Sequence, residues 1–180
     1  MVCEVMGRHT GWIATVAGLA GGADCILIPE QSKTIEEICE VLKRRHAQGH
    51  VFSIVVVSEG FKLCGGSEEV TKSAKLDQFG HIQLGGIGEL LGKEIESRTG
   101  FETRVTVLGH IQRGGSPTAF DRVLGSRYGI RAVDLIEEGK FGMLVIWKGN
   151  RITHMPLTKA LTKLKYVDPG MVRDAEVFFA

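Results

Sequence analysis

The sequence predicts an α/β domain with a mainly parallel sheet and helices on both faces. Two observations lead to this prediction. Segments with strand character alternate with segments of helical periodicity along nearly the whole chain, as successive βαβ units do. In addition, Val51–Val57 (VFSIVVV) is apolar on both faces, which is typical of a central parallel strand that helices cover. Ligands bind to such sheets at the carboxyl ends of the strands, so the loops there are the first candidates for a functional site.

Composition narrows the range of functions. Of the 180 residues, 43% are hydrophobic and 24% are charged, the balance of an ordinary globular protein. The net charge is +1, whereas nucleic-acid and anionic-membrane binders normally carry a basic excess. No apolar stretch approaches the roughly 20 residues of a membrane span. The four cysteines form no CxxC pair, which argues against a zinc site and fits a reducing cytoplasm. We therefore expect a cytoplasmic protein that binds no nucleic acid, no membrane and no metal of its own.

The elements follow in order from the amino terminus. Val2–Met6 is a strand candidate, and Gly11–Ala20 carries no charge, which predicts a helix buried on most sides. Ala23–Ile28 (ADCILI) is a short apolar strand. Thr34 and Glu37 match a capping box, in which each residue bonds the exposed backbone N–H of the other, so a second helix is expected to begin there.

The middle of the chain is less regular. Residues 58 to 86 contain glycines and scattered charges, which indicates a long loop with at most short elements inside it. A helix is predicted from Ile87 to about Gly100, then a strand over Glu102–Leu108 and a polar turn over Gly109–Ser116.

The last part of the chain begins with another helix. Ser116-Pro117 suits a helix cap followed by a first helical position, so this helix is expected to run from there to about Glu138. Three further elements are predicted: strands over Gly142–Trp147 and Arg151–Met155, with Gly149-Asn150 between them, and a last helix over Pro156–Leu164.

The turn after the first strand suits an anion. It reads Met6-Gly7-Arg8-His9-Thr10-Gly11, where Gly7 lets backbone approach a ligand closely and the helix that follows attracts negative charge. Arg8 would add a bidentate donor for phosphate. Neither GxGxxG nor GxxxxGKS/T occurs in the sequence, so dinucleotide and P-loop sites lack their motifs. A tight turn with a solvated arginine remains the alternative.

A glutamate follows the apolar strand in the middle of the chain. Glu59 comes directly after VVVS, and a carboxylate at such a strand end can accept hydrogen bonds from substrate hydroxyls. Considered alone, an ordinary acid at the end of a strand is the simpler interpretation.

The third loop carries the strongest pattern, RVTVLGHIQRGGSP. Arg104 begins its strand, and His110 and Arg113 lie on the loop beyond the end of that strand. Gly114-Gly115 then leads toward a helix N-terminus. Two polar or cationic donors, a nest of backbone N–H groups and a helix dipole together suit a phosphate monoester.

With these motifs in place, the sequence resembles the carboxyl-terminal part of the 6-phosphofructokinase family. VCEVMGRHTGWIA is similar to that family's sugar-phosphate turn, and RVTVLGHIQRGGSPTAFDR is similar to its signature almost residue for residue. The resemblance extends from Val2 to the closing VFFA and implies a Rossmann-like phosphofructokinase lobe. It also implies transfer of a phosphoryl group to O1 of fructose 6-phosphate, which gives fructose 1,6-bisphosphate in glycolysis.

The resemblance assigns roles to residues of all three loops. Arg8 would lie near the transferring group, where its charge offsets the charge that builds on the phosphoryl oxygens. Glu59 would bind sugar hydroxyls, and His110 with Arg113 would bind the 6-phosphate. Arg104 would reach the 6-phosphate of a neighbouring subunit, which implies a homo-oligomer, either a dimer or a tetramer. The substrate-binding residues implied in this way are Met6, Gly7, Arg8, Glu59, Arg104, His110 and Arg113.

The sequence also departs from the family. The family's nucleotide or pyrophosphate loop and its Thr-Ser-Gly-Ile-Asp motif with the catalytic aspartate do not occur here. Mg2+ with ATP or pyrophosphate would therefore be bound mainly by an N-terminal portion, and we expect the isolated chain to be inactive. An insertion around Leu63–Gly86 and the VFFA ending resemble the mixed-substrate group, whose members use ATP or pyrophosphate. Asp24 could replace the effector-binding acid of compact bacterial members, but Gln48-Gly49-His50 replaces their basic residues, so nucleotide regulation is not expected.

Two segments are expected on this basis. Residues 1–112 would form the fructose 6-phosphate-binding lobe. Residues 113–180 would form a helix, a hairpin and a C-terminal segment that in the family pack partly on the N-terminal lobe. Two alternatives remain open: a stand-alone sugar-phosphate-binding or regulatory module without catalysis, and a nicotinamide Rossmann domain, which lacks its glycine fingerprint and acid here.

Overall fold

The structure is a computed structural model that describes residues 1–64, 71–76, 82–84 and 86–179, with side chains for 1–64 and 86–179. The chain forms two compact units. The first comprises Met1–Gln112 and Lys165–Ala180, and the second comprises Arg113–Leu164. The chain therefore leaves the first unit after Gln112 and returns to it at Lys165.

Both units contain helices and strands. In the first unit the elements are, in chain order, β1 (Val2–Val5), α1 (Trp12–Ala20), β2 (Cys25–Leu27), α2 (Ile35–Ala47), β3 (Val55–Ser58), β4 (Thr71–Leu76), β5 (Ile82–Leu84), α3 (Ile87–Thr99) and β6 (Val105–Val107). A 3-10 helix, Gly109–Arg113, follows β6. The later elements are α4 (Ala119–Glu137), β7 (Met143–Lys148), β8 (Arg151–Pro156) and α5 (Leu157–Ala160) in the second unit, and α6 (Pro169–Glu176) in the first. Among the described residues, no helix is long and apolar enough to cross a membrane.

Four parallel strands form the sheet of the first unit, in the order β2-β3-β1-β6. The strand β1 lies between two partners, because Val2 pairs with Val55 of β3 on one side and with Val105 of β6 on the other. The strand β2 pairs Cys25 with Val55. The carboxyl ends of β3, β1 and β6 are therefore neighbours, and the three loops of interest follow them at one edge of the sheet.

Helices cover both faces of this sheet. On one face, Ile38 of α2 and Leu91 of α3 pack in a buried cluster that includes Val57. On the other face, Ala14 of α1 and residues of α6 pack in a second cluster that includes Val56. Consecutive residues of β3 thus enter opposite cores, which explains why the strand is apolar on both faces. The predicted fold class, a mainly parallel sheet with helices on both sides, is confirmed.

The capping box predicted at the start of α2 is present. Thr34 Oγ1 accepts a hydrogen bond from the Glu37 backbone N–H at 3.2 Å, and Glu37 Oε2 accepts one from the Thr34 N–H at 2.7 Å. The hydrogen bonds from Thr34 hold the pKa of the Glu37 carboxyl below its ordinary value. Local sequence therefore fixes the start of this helix.

The strand predicted over Val51–Val57 is wrong in its first half. The strand β3 begins only at Val55, because β1 and β2 pair with it from that residue on. Val51 is 88% exposed and Phe52 is 71% exposed, so apolar character alone does not mark the strand.

The irregular region predicted over residues 58 to 86 contains a short antiparallel hairpin of β4 and β5. Its other residues after Cys64, namely 65–70, 77–81 and 85, lie outside the described residues, and so does part of the insertion expected around Leu63–Gly86.

The cap predicted for α4 is wrong by two residues. Thr118 Oγ1, rather than Ser116, accepts a hydrogen bond from the Asp121 backbone N–H, and the Asp121 carboxylate accepts one from the Thr118 N–H at 2.9 Å. This reciprocal box fixes Ala119 as the first helical residue, so Pro117 precedes the helix.

The prediction for the end of the chain needs two corrections. The helix expected over Pro156–Leu164 has only the four residues of α5, because Pro156 still belongs to β8. The helix α6 was not predicted. Asp168 caps it by accepting a hydrogen bond from the Gly170 N–H at 3.0 Å, and Pro169 occupies its first turn, a pairing typical of a helix start.

The second unit consists of a helix packed on a hairpin. The predicted strands are present, with β7 and β8 antiparallel around Gly149-Asn150. The ring centroids of Phe120 and Trp147 lie 5.7 Å apart, and Leu135 is buried. Other large apolar residues of α4 are exposed: Val123, Ile130, Val133 and Ile136.

Candidate functional site

A single carboxylate oxygen holds the turn after β1. Glu59 Oε1 accepts hydrogen bonds from the backbone N–H groups of Gly7, at 3.2 Å, and of Arg8, at 3.1 Å. The Glu59 N–H in turn donates to the Val5 carbonyl oxygen at 2.8 Å. The loops after β1 and β3, which sequence analysis singled out separately, are thus joined through their own backbone and one side chain.

Both loops need a glycine. A Cβ atom on Gly60 would overlap the Arg8 carbonyl oxygen of the first loop, and a Cβ on Gly7 would overlap the Thr10 carbonyl oxygen of its own turn and lie 2.6 Å from Ser58 Oγ. Arg8 itself has a φ of 49°, in the left-handed region that non-glycine residues rarely adopt. Such strain persists only where surrounding contacts impose it, and Glu59 provides such a contact.

Gln112 connects the third loop to the first. Its Oε1 accepts a hydrogen bond from the Met6 N–H at 3.3 Å, and its Nε2 donates to the Gly109 carbonyl oxygen at 2.6 Å. His110 is exposed on the same 3-10 helix. Arg113 ends that helix and is the first residue of the second unit. The role of Gln112 was not predicted, although its position between His110 and Arg113 in the motif was a signal.

Arg104 lies away from this edge. It directly precedes β6, so it marks the amino end of the strand whose carboxyl end carries the third loop, and its carbonyl oxygen accepts a hydrogen bond from the Val2 N–H at 2.8 Å. Its side chain is 81% exposed and pairs with Glu102 Oε1 at 3.0 Å. The structure therefore brings Met6, Gly7 and Glu59 together and leaves Arg104 at the opposite edge of the sheet.

A cavity of about 460 Å³ also lies at the amino edge, away from the three loops. Val2, Val55 and Thr103 line it, together with the rings of Phe52 and Phe101. None of the residues that sequence analysis assigned to the site lines this cavity.

Asp24 is fully engaged within the first unit. Its Oδ2 accepts a hydrogen bond from the Ile54 N–H at 2.7 Å, and its Oδ1 lies 2.6 Å from Arg45 Nη2. Asp24 is buried, and a buried carboxylate with both oxygens occupied acts as a connector between β2 and its neighbours.

A second buried carboxylate, Glu4, was not predicted to have a role. It lies in the centre of the sheet, is 2% exposed, and accepts hydrogen bonds from the N–H groups of Gly86, at 3.2 Å, and Gly88, at 2.8 Å. These groups begin α3, whose positive N-terminal dipole favours a carboxylate. Glu4 thus fixes the start of α3 from the middle of β1.

In the described part of the chain, three cysteine thiols have raised pKa values, and no group of side chains is placed to hold a metal ion. Burial raises the pKa of the Cys25 thiol to about 12 and also raises the pKa values of Cys3 and Cys39, so these groups stay protonated at neutral pH. Within the described residues, no three His, Cys, Asp or Glu side chains are placed to hold a metal ion.

Comparison with known proteins identifies the family of the chain. The phosphofructokinase family model matches residues 1–136. The pyrophosphate–fructose 6-phosphate 1-phosphotransferase of Streptomyces coelicolor is 49% identical over 179 residues, which are 99% of this chain and 52% of that protein. The ATP-dependent 6-phosphofructokinase of Mycobacterium tuberculosis H37Rv is 48% identical over the same shares.

Solved structures show the same fold. The phosphofructokinase of Saccharomyces cerevisiae superposes with a TM-score of 0.72 at 30% identity, over 98% of this chain and 21% of that one. The T-state phosphofructokinase of Pichia pastoris gives 0.70 at 34% identity, over 88% and 17%.

The first unit is therefore an α/β lobe of the phosphofructokinase type, with polar loops at the carboxyl edge of its sheet. The chain belongs to the phosphofructokinase family. It spans about half the length of the curated relatives it matches.

Proposed function

We propose that the chain is the sugar-phosphate portion of a 6-phosphofructokinase. The complete protein would transfer a phosphoryl group from ATP or pyrophosphate to O1 of fructose 6-phosphate and act in the cytoplasm. The observation that carries the proposal is the joining of three loops at one sheet edge by Glu59 and Gln112. Relatives named for each donor match the chain almost equally well, so the choice of donor stays open.

The contacts of the first turn sharpen the roles of its residues. The N–H groups of Gly7 and Arg8 already donate to Glu59, and the N–H of Gly11 donates to Glu30 at 3.0 Å. Phosphate binding at this turn would therefore depend on the Arg8 guanidinium rather than on these amides. Its charge would offset the negative charge that develops on the phosphoryl oxygens.

The remaining sugar contacts would come from the other two loops. Glu59 would accept hydrogen bonds from sugar hydroxyls, and Met6 would lie against the sugar. His110 and Arg113 would bind the 6-phosphate, since cationic and imidazole donors suit its oxygens.

Arg104 would bind the 6-phosphate in the sugar site of a neighbouring subunit. Its exposed side chain lies at the edge of the sheet opposite Glu59, so its placement favours a reach outward rather than toward the loops of its own chain. A complete sugar site would then require a homo-oligomer, either a dimer or a tetramer.

The donor and its metal would be held elsewhere. Among the described residues, no three His, Cys, Asp or Glu side chains are grouped to hold a metal ion, and the sequence has no donor loop or Thr-Ser-Gly-Ile-Asp motif. Mg2+ with ATP or pyrophosphate would be bound mainly by the N-terminal portion of the protein. The exposed apolar residues of α4, with Val133 and Ile136 among them, support the proposal that residues 113–180 pack partly on that portion.

Calorimetry on the purified chain tests the sugar site. We expect saturable binding of fructose 6-phosphate, weaker binding of inorganic phosphate, and none of unphosphorylated fructose. An absence of fructose 6-phosphate binding by a folded and oligomeric chain would contradict the proposal. The same chain should show no turnover with Mg2+ and either ATP or pyrophosphate, and clear activity would disprove its proposed dependence on an N-terminal portion.

One alternative function remains, a stand-alone sugar-phosphate-binding or regulatory module. Binding without turnover fits both functions, so the coding sequence upstream of Met1 is the better test. An in-frame donor loop and aspartate motif there would exclude the module.

A further inference from the structure

A glutamate outside the three loops holds the other end of the first turn. Glu30, which follows β2, accepts a hydrogen bond through Oε1 from the Gly11 N–H at 3.0 Å. The same oxygen accepts a second hydrogen bond from the Val167 N–H at 3.1 Å. One carboxylate therefore connects the start of α1 to the segment where the chain has returned to the first unit.

A second pair of residues strengthens this connection. Trp12 Nε1 donates a hydrogen bond to the Lys165 carbonyl oxygen at 2.6 Å, and Lys165 Nζ lies 5.1 Å from the centroid of the Trp12 ring. We call Lys165–Val167 the return segment. It contacts Trp12 directly, through one hydrogen bond and a cation–π contact, and it is joined to Gly11 through Glu30.

The helix α1 depends on this carboxylate because it has no cap of its own. Its N-cap residue is Gly11, no side chain caps it locally, and its first turn contains no acidic residue. An anion at a helix N-terminus is favourable, and Glu30 supplies one from a different element. Its other oxygen, Oε2, is buried and has no hydrogen-bond partner among the described residues.

The five-residue turn Gly7–Gly11 is thus held by two carboxylates, Glu59 at its start and Glu30 at its end. Arg8 lies between them with a positive φ. The position of Arg8 therefore depends on both ends of the turn. Because small displacements of a binding group weaken its interactions strongly, a change at either end should weaken the binding of a ligand by Arg8.

We propose that Glu30 is a positioning residue of the sugar-phosphate site, which ties the Arg8 turn to the return segment through Gly11 and Val167. Glu30 does not touch the substrate and acts only through the backbone of the turn. The proposal rests on the proposed function for the claim that the turn binds a sugar phosphate. The link between the two segments stands on the contacts themselves.

Amide hydrogen exchange on the purified chain tests the link. Glu30→Ala should increase exchange at residues 8–12 and at 165–168 together, by at least about tenfold, because both amides lose a charged acceptor. Glu30→Gln keeps a carbonyl oxygen in place of Oε1 and should restore most of the protection. Trp12→Phe removes the indole donor, together with part of the ring that Lys165 lies over, and should increase exchange in the return segment. The control, Glu40→Ala, changes an exposed residue of α2 and should leave both segments unchanged.

Calorimetry with fructose 6-phosphate tests the consequence for binding. Glu30→Ala should weaken binding by about tenfold, and Glu30→Gln should stay within about twofold of wild type.

Unchanged exchange at residues 8–12 in Glu30→Ala would overturn the proposal, whatever the chain binds. If Glu30→Ala binds fructose 6-phosphate as tightly as wild type, the role of Glu30 in the sugar site is overturned, but the link between the two segments is not. No binding by wild type would overturn the proposed function and, with it, this role, while the exchange data would still decide the link. If Glu30→Ala does not fold, Glu30→Asp carries the same two measurements, because it keeps the charge but withdraws the acceptor from the Gly11 and Val167 N–H groups by one methylene. Unchanged exchange at residues 8–12 in a folded Glu30→Asp would overturn the proposal.

Discussion

Glu59 Oε1 lies 3.1 Å from the backbone nitrogen of Arg8, a residue with a φ of 49°. The acid expected to bind sugar hydroxyls therefore also holds the arginine expected to bind phosphate. The two residues are neighbours because β1 and β3 are parallel and pair Val5 with Ser58 at their carboxyl ends. A change at Glu59 should consequently affect both the stability of the first unit and the site.

Replacing Glu59 separates these two effects. Glu59→Ala leaves the Gly7 and Arg8 N–H groups without their acceptor and should lower the free energy of unfolding by about 1–3 kcal/mol. Glu59→Gln retains a carbonyl acceptor and should lose less stability, while both variants bind fructose 6-phosphate more weakly. Urea unfolding and calorimetry measure the two quantities. A Glu59→Ala variant as stable as wild type would show that the carboxylate does not hold the turn.

Gly60 should tolerate no side chain. Gly60→Ala places a methyl group on the Arg8 carbonyl oxygen, and such overpacking should lower the free energy of unfolding by about 2 kcal/mol. The matched control is Gly125→Ala in α4, where a Cβ meets nothing within 4 Å. That change should be neutral or stabilising by about 0.5–1 kcal/mol, since alanine favours a helix interior over glycine. Equal urea midpoints for Gly60→Ala and wild type would contradict the close approach of the two loops.

Glu138 should make the stability of the second unit depend on pH in the acidic range. Hydrogen bonds from Arg131 and Lys140 lower its pKa from an ordinary 4.5 to about 2. A lowered folded-state pKa stabilises the fold above pH 4.5 and loses this contribution as the pH falls toward 2. Glu138→Gln should therefore melt at a lower temperature than wild type at pH 7, and the difference should disappear near pH 2.

Thermal melts across this pH range check the sign of the effect. The neighbouring Glu137→Gln variant, which changes an exposed residue of the same helix end, should melt like wild type throughout. A melting difference for Glu138→Gln that grows on acidification would mean that the ion pairs do not stabilise the folded state.

Arg113 should matter for sugar-phosphate affinity in the complete enzyme. Arg113→Ala removes a charged donor to the 6-phosphate and should raise KM for fructose 6-phosphate by at least about tenfold. Lys93→Ala removes an exposed positive charge from α3 and controls for net charge. Steady-state kinetics measure both variants, and an unchanged KM in Arg113→Ala would remove this residue from the site.

Arg104 and Glu59 should complement each other between subunits. In the complete enzyme, Arg104→Ala and Glu59→Ala homo-oligomers should each lose most activity at low fructose 6-phosphate. If Arg104 serves the neighbour, a mixed dimer contains one site with an intact Glu59 and an intact Arg104. Dissociating and mixing the two variants should then restore about a quarter of wild-type activity, since about half of the dimers are mixed and have one working site. No recovery after demonstrated subunit exchange would place Arg104 in its own subunit's site or outside it.

Local features of the fold were predictable, and contacts between distant elements were not. The box of Thr34 and Glu37 was readable because both partners lie in one turn of chain. The box of Thr118 and Asp121 had the same pattern, but the neighbouring Ser116-Pro117 offered a competing start.

The roles of Glu4 and Glu30 could not be predicted from the sequence. Each caps a helix whose first residues lie far along the chain, at Gly88 and Gly11 respectively, and no spacing rule connects such partners. The loops could be predicted to converge, because parallel strands place their carboxyl ends at one edge. The hydrogen bonds of Glu59 and Gln112 that join them required the structure.

The position of β1 in the sheet also has a consequence for folding. The strand β1 precedes both β3 and β6 in the sequence but lies between them in the sheet, so Val2 must pair with both Val55 and Val105. Pairings between such distant residues form slowly, because a long stretch of chain has to be ordered first. During synthesis, β1 would keep one edge uncovered until β6 has left the ribosome. Variants that slow the pairing of β6 with β1 should therefore increase aggregation and the need for chaperones more than they reduce the stability of the folded protein.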